Sequence, residues 1–274
     1  MSGTDAPQPV IDGATRLYMI VGHPIEQVKS PLAFNPRFAA AGLNAVLVPV
    51  DVKPEEFAST VRGLKAIRNL DGIVITVPYK ARALALVDEV APTGQKVGAI
   101  NGMRPLKDGR WIGDMFDGVG LLRGLAREGL SVAGQRILLI GAGGAGSAVA
   151  IAFAEAGAAA ITICDIARAK SADLVKRVAS AYPNCQAREG APTAAGHDVI
   201  VNATPVGMAP GDGLPAEIGA LAPSQLVIDI IAKPKITPLL AFAKASSCRT
   251  VGGETMLAGQ ITAIETFFGI GEKA

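Results

Sequence analysis

Short apolar runs alternate with amphipathic stretches along most of the chain. Leu17–Gly22, Ala45–Val50 and Gly72–Val77 are rich in β-branched and aliphatic residues and too short for helices, so they predict buried strands. Pro31–Ala41 and Glu55–Leu64 place apolar residues at helical spacing, and Lys80–Val87 predicts a third helix after Pro78 closes its strand. Ala99–Asn101 and Arg110–Asp114 are short pieces. A helix from Gly118 then leads into a more regular alternation. Strands are expected over 137–140, 160–164, 199–202 and 226–229, with helices over 145–156, 170–181 and 238–245. A last helix covers Met256–Phe268. Such alternation in the second half predicts a parallel sheet covered on both faces, within an α/β fold.

The second half begins with the most specific motif in the chain. Strand 137–140 runs into Gly141-Ala142-Gly143-Gly144-Ala145-Gly146, a G-x-G-x-x-G turn that opens a small-residue helix. The first glycine permits the tight turn, the second lets a pyrophosphate approach the backbone, and the third lets helix and strand pack closely. The helix N-terminus supplies free N–H groups and the positive end of a dipole. Asp165 ends the next strand, where a carboxylate accepts hydrogen bonds from the ribose 2′-OH of NAD. A Rossmann-type, doubly wound dinucleotide-binding domain over 119–249 follows. Residues 1–118 become an α/β substrate domain, to which a C-terminal segment, 250–274, returns.

With 26 basic and 24 acidic residues the net charge is +2, and no basic block argues for nucleic acid or an anionic membrane. Residues 137–163 would attract a hydropathy window, but Glu155 and the glycines divide them into strand, turn, helix and strand. Cys164, Cys185 and Cys248 are far apart without metal spacing, so no metal is expected and the thiols fit a reducing compartment. Met1–Asp12 reads as a loose leader without a secretory n-region. A cytoplasmic location is expected.

A dinucleotide enzyme that moves hydride needs a group to take or give the hydroxyl proton. The two histidines are poor candidates: His23 lies in a Gly-His-Pro turn and His197 precedes a strand of the nucleotide domain. No tyrosine is followed by lysine four residues on, and no Cys/His set has zinc spacing. Lys80 remains, directly after the buried strand and the Pro78-Tyr79 turn, where partial loss of water suits a lysine to proton transfer. Asp117 is a second candidate, with turn or helix capping as its alternative role.

Taken in order, these segments resemble the shikimate/quinate dehydrogenase family. The match runs through Gly22-His23-Pro24-Ile25, Lys29-Ser30-Pro31, Ile75-Thr76-Val77-Pro78-Tyr79-Lys80, Gly98-Ala99-Ile100-Asn101 and Asp114 with Asp117-Gly118. It continues through the glycine turn, Val201-Asn202-Ala203-Thr204-Pro205-Val206-Gly207-Met208, Asp229, Thr237-Pro238, and Met256-Leu257 with Gln260. The resemblance implies that Lys80 and Asp117 form the catalytic pair and that Ser30, Thr76, Asn101 and Gln260 bind substrate between the domains. It also implies that the Asn202-Ala203-Thr204 segment borders the cofactor, so Asn202 and Thr204 join Gly141, Gly143, Gly144, Ala145, Gly146 and Asp165 as candidate cofactor contacts.

Several positions depart from the family pattern. Val28 replaces the first of two serines, Gln27 a histidine, and Val74 an asparagine. Met115-Phe116 replaces a polar pair, Ala232 a tyrosine, and Glu254 an apolar residue. A site built to bind hydroxyls loses affinity when such partners go, so poor turnover of shikimate itself is expected, with quinate or another alicyclic carboxylic acid as substrate. Members that use NADP place an arginine after the second nucleotide-domain strand. Here Asp165-Ile166-Ala167-Arg168 favours NAD, with NADP kept open by Arg168 and Lys170. The reading is an NAD(P)-dependent oxidoreductase acting on a ring secondary alcohol, compatible with a homodimer. Its rival is an NAD(P)-binding regulatory or partner protein of the same fold with little catalysis.

Overall fold

The computed structural model describes residues 11–270. The expected leader therefore lies, apart from Ile11 and Asp12, outside the described residues, as do positions 271–274 of the C-terminal segment. The chain divides into two compact units, one running to Met115 and resuming at Ile261, the other spanning Phe116–Gln260.

In the first unit, β1 (Arg16–Gly22), β2 (Ala45–Asp51) and β3 (Leu70–Ile75) pair in parallel in the order β2-β1-β3. Helix α1 (Ser30–Ala40) follows β1 and α2 (Phe57–Leu64) follows β2, the crossovers that parallel pairing requires. Beyond β3 the sheet is mixed. Strands β5 (Gly102–Pro105) and β6 (Trp111–Asp114) form an antiparallel hairpin, and β4 (Glu89–Val90) pairs parallel to β6. A short helix α3 (Pro92–Val97) stands between β4 and β5. Val21, Phe57, Val61, Ile73, Ile75, Ile100 and Met103 form the core on one side.

The helix expected over Lys80–Val87 is a 3-10 turn over Arg82–Leu86. The carbonyl of Lys80 accepts from Ile100 N at 2.9 Å instead of from the following helical turn, and Tyr79 is sunk into the core with no exposed surface. Two tertiary contacts thus override a helical sequence pattern. Strand β3 likewise ends at Ile75, where Tyr79 N donates to Thr76 O (3.0 Å) and closes a turn, although Val77 O still accepts from His23 N (3.0 Å).

The second unit opens with α4 (Asp117–Arg127). Its sheet is parallel throughout: β7 (Arg136–Ile140), β8 (Ala160–Cys164), β9 (Gln186–Glu189), β10 (Val199–Asn202), β11 (Leu226–Asp229) and β12 (Arg249–Val251). The spatial order β12-β11-β10-β7-β8-β9 is the doubly wound order of a Rossmann fold, with its switch point between β7 and β10. Helices α5 (Gly144–Glu155), α6 (Arg168–Ala181) and α7 (Pro238–Ala245) supply crossovers. Buried residues occupy nearly every position of α5, as its uniformly apolar sequence requires.

Helix α8 (Gly253–Phe268) starts earlier than Met256 and is shared between the units. Its second half returns to the first unit, where Phe268 packs on Tyr18 (ring centroids 5.3 Å) and covers Gly72. Its first half belongs to the second unit: a Cβ on Gly259 would stand 2.0 Å from the carbonyl oxygen of Gly120, so α8 and α4 pack backbone to backbone. The expected division, with 1–118 and 250–274 in one domain, thus shifts to Met115 and Ile261. Among the described residues no helix is long and apolar enough to cross a membrane.

Candidate functional site

Four of the expected substrate and catalytic residues sit in the first unit after its parallel strands. Three are tied together by backbone bonds at the carboxyl end of β3. Thr76 N donates to Val21 O (2.9 Å), Ile75 N donates to Asn101 O (2.8 Å), and Asn101 N donates to Asp114 O (3.0 Å). The Ile100–Lys80 bond then fixes Lys80 next to the Asn101 segment. Ser30 begins α1, the helix that leaves the end of β1, and is buried. The carboxyl ends of parallel strands are where open α/β sheets bind ligands.

Tyr79 makes Lys80's position rigid. Its ring stacks on Phe57 (centroids 4.1 Å, interplanar angle 13°), the Arg82 guanidinium lies over both rings, and its hydroxyl donates to Val52 O. Sequence reasoning passed over Tyr79 and Phe57. The cue was a tyrosine between a buried strand and the candidate lysine, since a buried hydroxyl needs a partner. His23 N donates to Val77 O, and its ring pairs with Asp51 at 2.9 Å.

In the second unit the glycine turn separates into three roles. Gly141 has φ +102°, and a Cβ there would stand 2.9 Å from the backbone of Ala203. A Cβ on Gly146 would stand 2.0 Å from Gly141 O. Gly143 is exposed, and a Cβ on it would meet nothing within 4 Å. First and third glycines are therefore demanded by the protein itself, whereas the space beside the second is open. Gly144 and Ala145, half-buried, open α5, whose N-terminus has no side-chain cap. These features fit the pyrophosphate of a dinucleotide.

The Asp165 carboxylate accepts from Ala142 N (2.7 Å) and Ala167 N (2.8 Å), so it braces the turn. With about four lone-pair sites on a carboxylate, capacity remains for a ribose hydroxyl. Ile166 beside it is fully exposed.

Asn202 takes a different place from the one expected. It has no exposed surface, and its amide is spent inside the protein: Nδ2 donates to Asp229 and to Val206 O, and Oδ1 accepts from Thr204 N and Thr204 Oγ1. It supports the 203–207 loop from below; Ala203 and Thr204 are half-buried, and Pro205 and Val206 are exposed. Burial pushes the Asp229 carboxyl up, while bonds from Thr237, Ile231 and Asn202 pull the other way.

Asp117 is the first residue of α4 and is buried; Gln260 lies on α8, its Cβ 2.6 Å from where a Cβ on Gly120 would stand. Both belong to the second unit, and Lys80 and Asn101 to the first. His197 is structural, buried with Nε2 2.9 Å from Thr162 Oγ1, and desolvation holds its pKa down. Burial pushes the Cys164 thiol to about 11, which makes it inert at neutral pH.

The departures from the family pattern are structurally coherent. Val74, Met115 and Phe116 are buried, so these positions now carry packing rather than polar contacts. Ala232 and Glu254 line one cavity of about 380 Å³, at whose edge Lys235 pairs with Glu254 at 3.4 Å.

Comparison with known proteins agrees with this geometry unit by unit. The family model for the shikimate dehydrogenase substrate binding domain matches residues 20–103, and that for shikimate / quinate 5-dehydrogenase matches residues 124–209. The shikimate dehydrogenase (NADP(+)) of Rubrobacter xylanophilus is 38% identical over 256 residues, 91% of this chain and 89% of that protein. That of Gluconobacter oxydans is 35% identical, covering 97% and 94%. Among solved structures, shikimate 5-dehydrogenase from Listeria monocytogenes in complex with shikimate and NAD superposes with TM-score 0.82 at 29% identity, covering 95% and 94%. The 5-ketofructose reductase of Gluconobacter sp. strain CHM43 superposes with TM-score 0.78 at 31% identity, covering 93% of each chain. With its strand-end lysine and its dinucleotide turn each in the unit that the family models match, the chain belongs to the shikimate/quinate dehydrogenase family.

Proposed function

We propose that this protein interconverts a ring secondary alcohol and a ketone on a shikimate- or quinate-like hydroxy acid, with NAD as the preferred acceptor. The observation that carries the reading is the strand-end cluster of Lys80, Asn101 and Thr76, held by backbone bonds in the unit that resembles a substrate binding domain. The bound cofactor supplies hydride transfer. Lys80 and Asp117 handle the hydroxyl and its proton, Ser30 holds the carboxylate, and Thr76, Asn101 and Gln260 orient the ring. A cytoplasmic setting fits the free thiols of Cys164, Cys185 and Cys248.

The apolar, buried Val74, Met115 and Phe116, at positions where the family pattern is polar, support a substrate other than shikimate. A site that loses hydroxyl-binding partners loses affinity for the ligand they served. Initial rates of NAD and NADP reduction with shikimate, quinate, their dehydroxy and amino analogues, and a neutral polyol test the reading. The expected outcome is a kcat/KM for one analogue well above that for shikimate. Tight dinucleotide binding with no turnover of any member would favour the regulatory reading instead.

The cofactor preference rests on charge. The Asp165 carboxylate repels a 2′-phosphate, Ile166 stands where an arginine would meet one, and Arg168 is turned to Glu189 at 3.7 Å. Asp165→Asn keeps an acceptor for the turn and removes the charge. The NADP-to-NAD affinity ratio should rise about tenfold, the effect of one unit charge near a partly exposed phosphate. An unchanged ratio by calorimetric titration would remove Asp165 from cofactor selection.

A further inference from the structure

The two halves of the second unit's sheet carry matching aspartates. Asp165 follows β8, the second strand of the first half, and Asp229 ends β11, the second strand of the other half. Each accepts from the backbone N–H two residues on: Ala167 N for Asp165, Ile231 N (3.1 Å) for Asp229. Each also accepts from the segment at the end of the neighbouring inner strand: Ala142 N for Asp165, Asn202 Nδ2 for Asp229. In a doubly wound sheet one half holds each mononucleotide, so Asp229 belongs to the nicotinamide half as Asp165 belongs to the adenosine half.

The two differ in burial. Asp165 is half-buried, whereas Asp229 has no exposed surface and cannot touch a ligand. Every group around it is a donor. Thr237 Oγ1 donates at 2.6 Å, its own oxygen accepting from Leu240 N, and Asn202 Nδ2 lies 3.2 Å from both carboxylate oxygens. Three donors, from Thr237, Ile231 and Asn202, favour the ionised carboxylate against the opposing push of burial. Among the described residues no cation forms an ion pair with it. A buried, hydrogen-bonded charge without a counter-ion is costly to keep. The oxidised nicotinamide ring is a cation and the reduced ring is neutral.

We propose that Asp229 is a positioning residue with an electrostatic role. It ties the 203–207 loop to the 230–237 loop and presents a fixed negative charge to the nicotinamide half, favouring the oxidised cofactor over the reduced one. The inference rests on the reading that the second unit binds a nicotinamide dinucleotide.

Calorimetric titration of wild-type protein and Asp229→Asn with NAD+, NADH and ADP-ribose tests it. Asp229→Asn should weaken NAD+ about tenfold more than NADH, the order expected for one charge acting across a partly screened interior. Equal weakening of both forms would reduce Asp229 to a loop support and overturn the electrostatic role. If the variant does not fold, wild-type protein decides with the benzamide analogue of NAD+, whose ring is planar but uncharged. NAD+ should bind about tenfold tighter than the analogue on the same reasoning, and equal affinities would overturn the proposal. Absence of binding by every dinucleotide and by ADP-ribose would instead overturn the cofactor reading, and this inference with it.

Discussion

Lys80→Ala should lower kcat by about 10²- to 10⁴-fold, the usual contribution of a positioned proton-transfer group, while leaving NAD affinity at its wild-type value. Lys80 is held through its carbonyl, which accepts from Ile100 N, and the turn before it is held by the Tyr79 ring and hydroxyl. These contacts run through the backbone and Tyr79, so the turn that carries position 80 should persist in the variant, and a thermal melt checks that it does. Steady-state kinetics on the substrate identified from the panel, with dinucleotide titration by fluorescence, separates the outcomes. Near-normal kcat would remove Lys80 from the chemistry. A rise in KM alone would make it a binding group.

The second large effect is a contrast within the glycine turn. In Gly146→Ala the new Cβ would lie 2.0 Å from Gly141 O, a backbone atom that cannot give way without moving the turn. Stability should fall by about 1–3 kcal/mol, the usual cost of overpacking, and dinucleotide binding should be lost with it. Gly143→Ala places its Cβ where no protein atom lies within 4 Å. That variant should melt normally yet bind dinucleotide far more weakly, because the methyl occupies the space left for the pyrophosphate. Thermal melts and NADH titrations of both variants check the pair. Normal binding by Gly143→Ala would refute the assignment of that space to the cofactor.

Much of this was legible in the residues. Strands β8, β10 and β11 and helix α7 fall where periodicity and punctuation put them, at 160–164, 199–202, 226–229 and 238–245. Their apolar runs are buried on both faces, so each strand stands out against its polar flanks. Strands β9 and β12 were not legible. Gln186–Glu189 and Arg249–Val251 are short, largely polar edge strands, the first mostly exposed and the second with only Val251 buried, and nothing in their pattern distinguishes them from loops. The β5–β6 hairpin was equally hidden: Gly102 and Gly113 interrupt any alternation, and pairing with β3 decides its place.

The candidate site divides in the same way. Glycine spacing identified the dinucleotide turn, because phosphate chemistry demands backbone that comes close to the ligand, and only glycine allows it. Elimination singled out Lys80, because few residue types can move a proton near neutrality and the others were absent or badly spaced. Asn202 could not be placed by such reasoning. Its letter is compatible with a cofactor contact, and only the tertiary structure sends its amide down to Asp229 and the 203–207 loop. The Asp229–Asn202–Thr237 network joins residues far apart in the chain, and the stacking of Tyr79 on Phe57 does the same in the first unit.

The sequence by itself determined the α/β class, the two-part organisation, the dinucleotide turn and the family, since each rests on local periodicity or on residues close together in the chain. Only the tertiary structure decided where α8 changes allegiance, why the segment after Lys80 is not an α-helix, and which polar residues are spent on bonds inside the protein. Those outcomes depend on whether a distant partner satisfies a given N–H, carbonyl or carboxylate, and that pairing is settled only when the chain has folded.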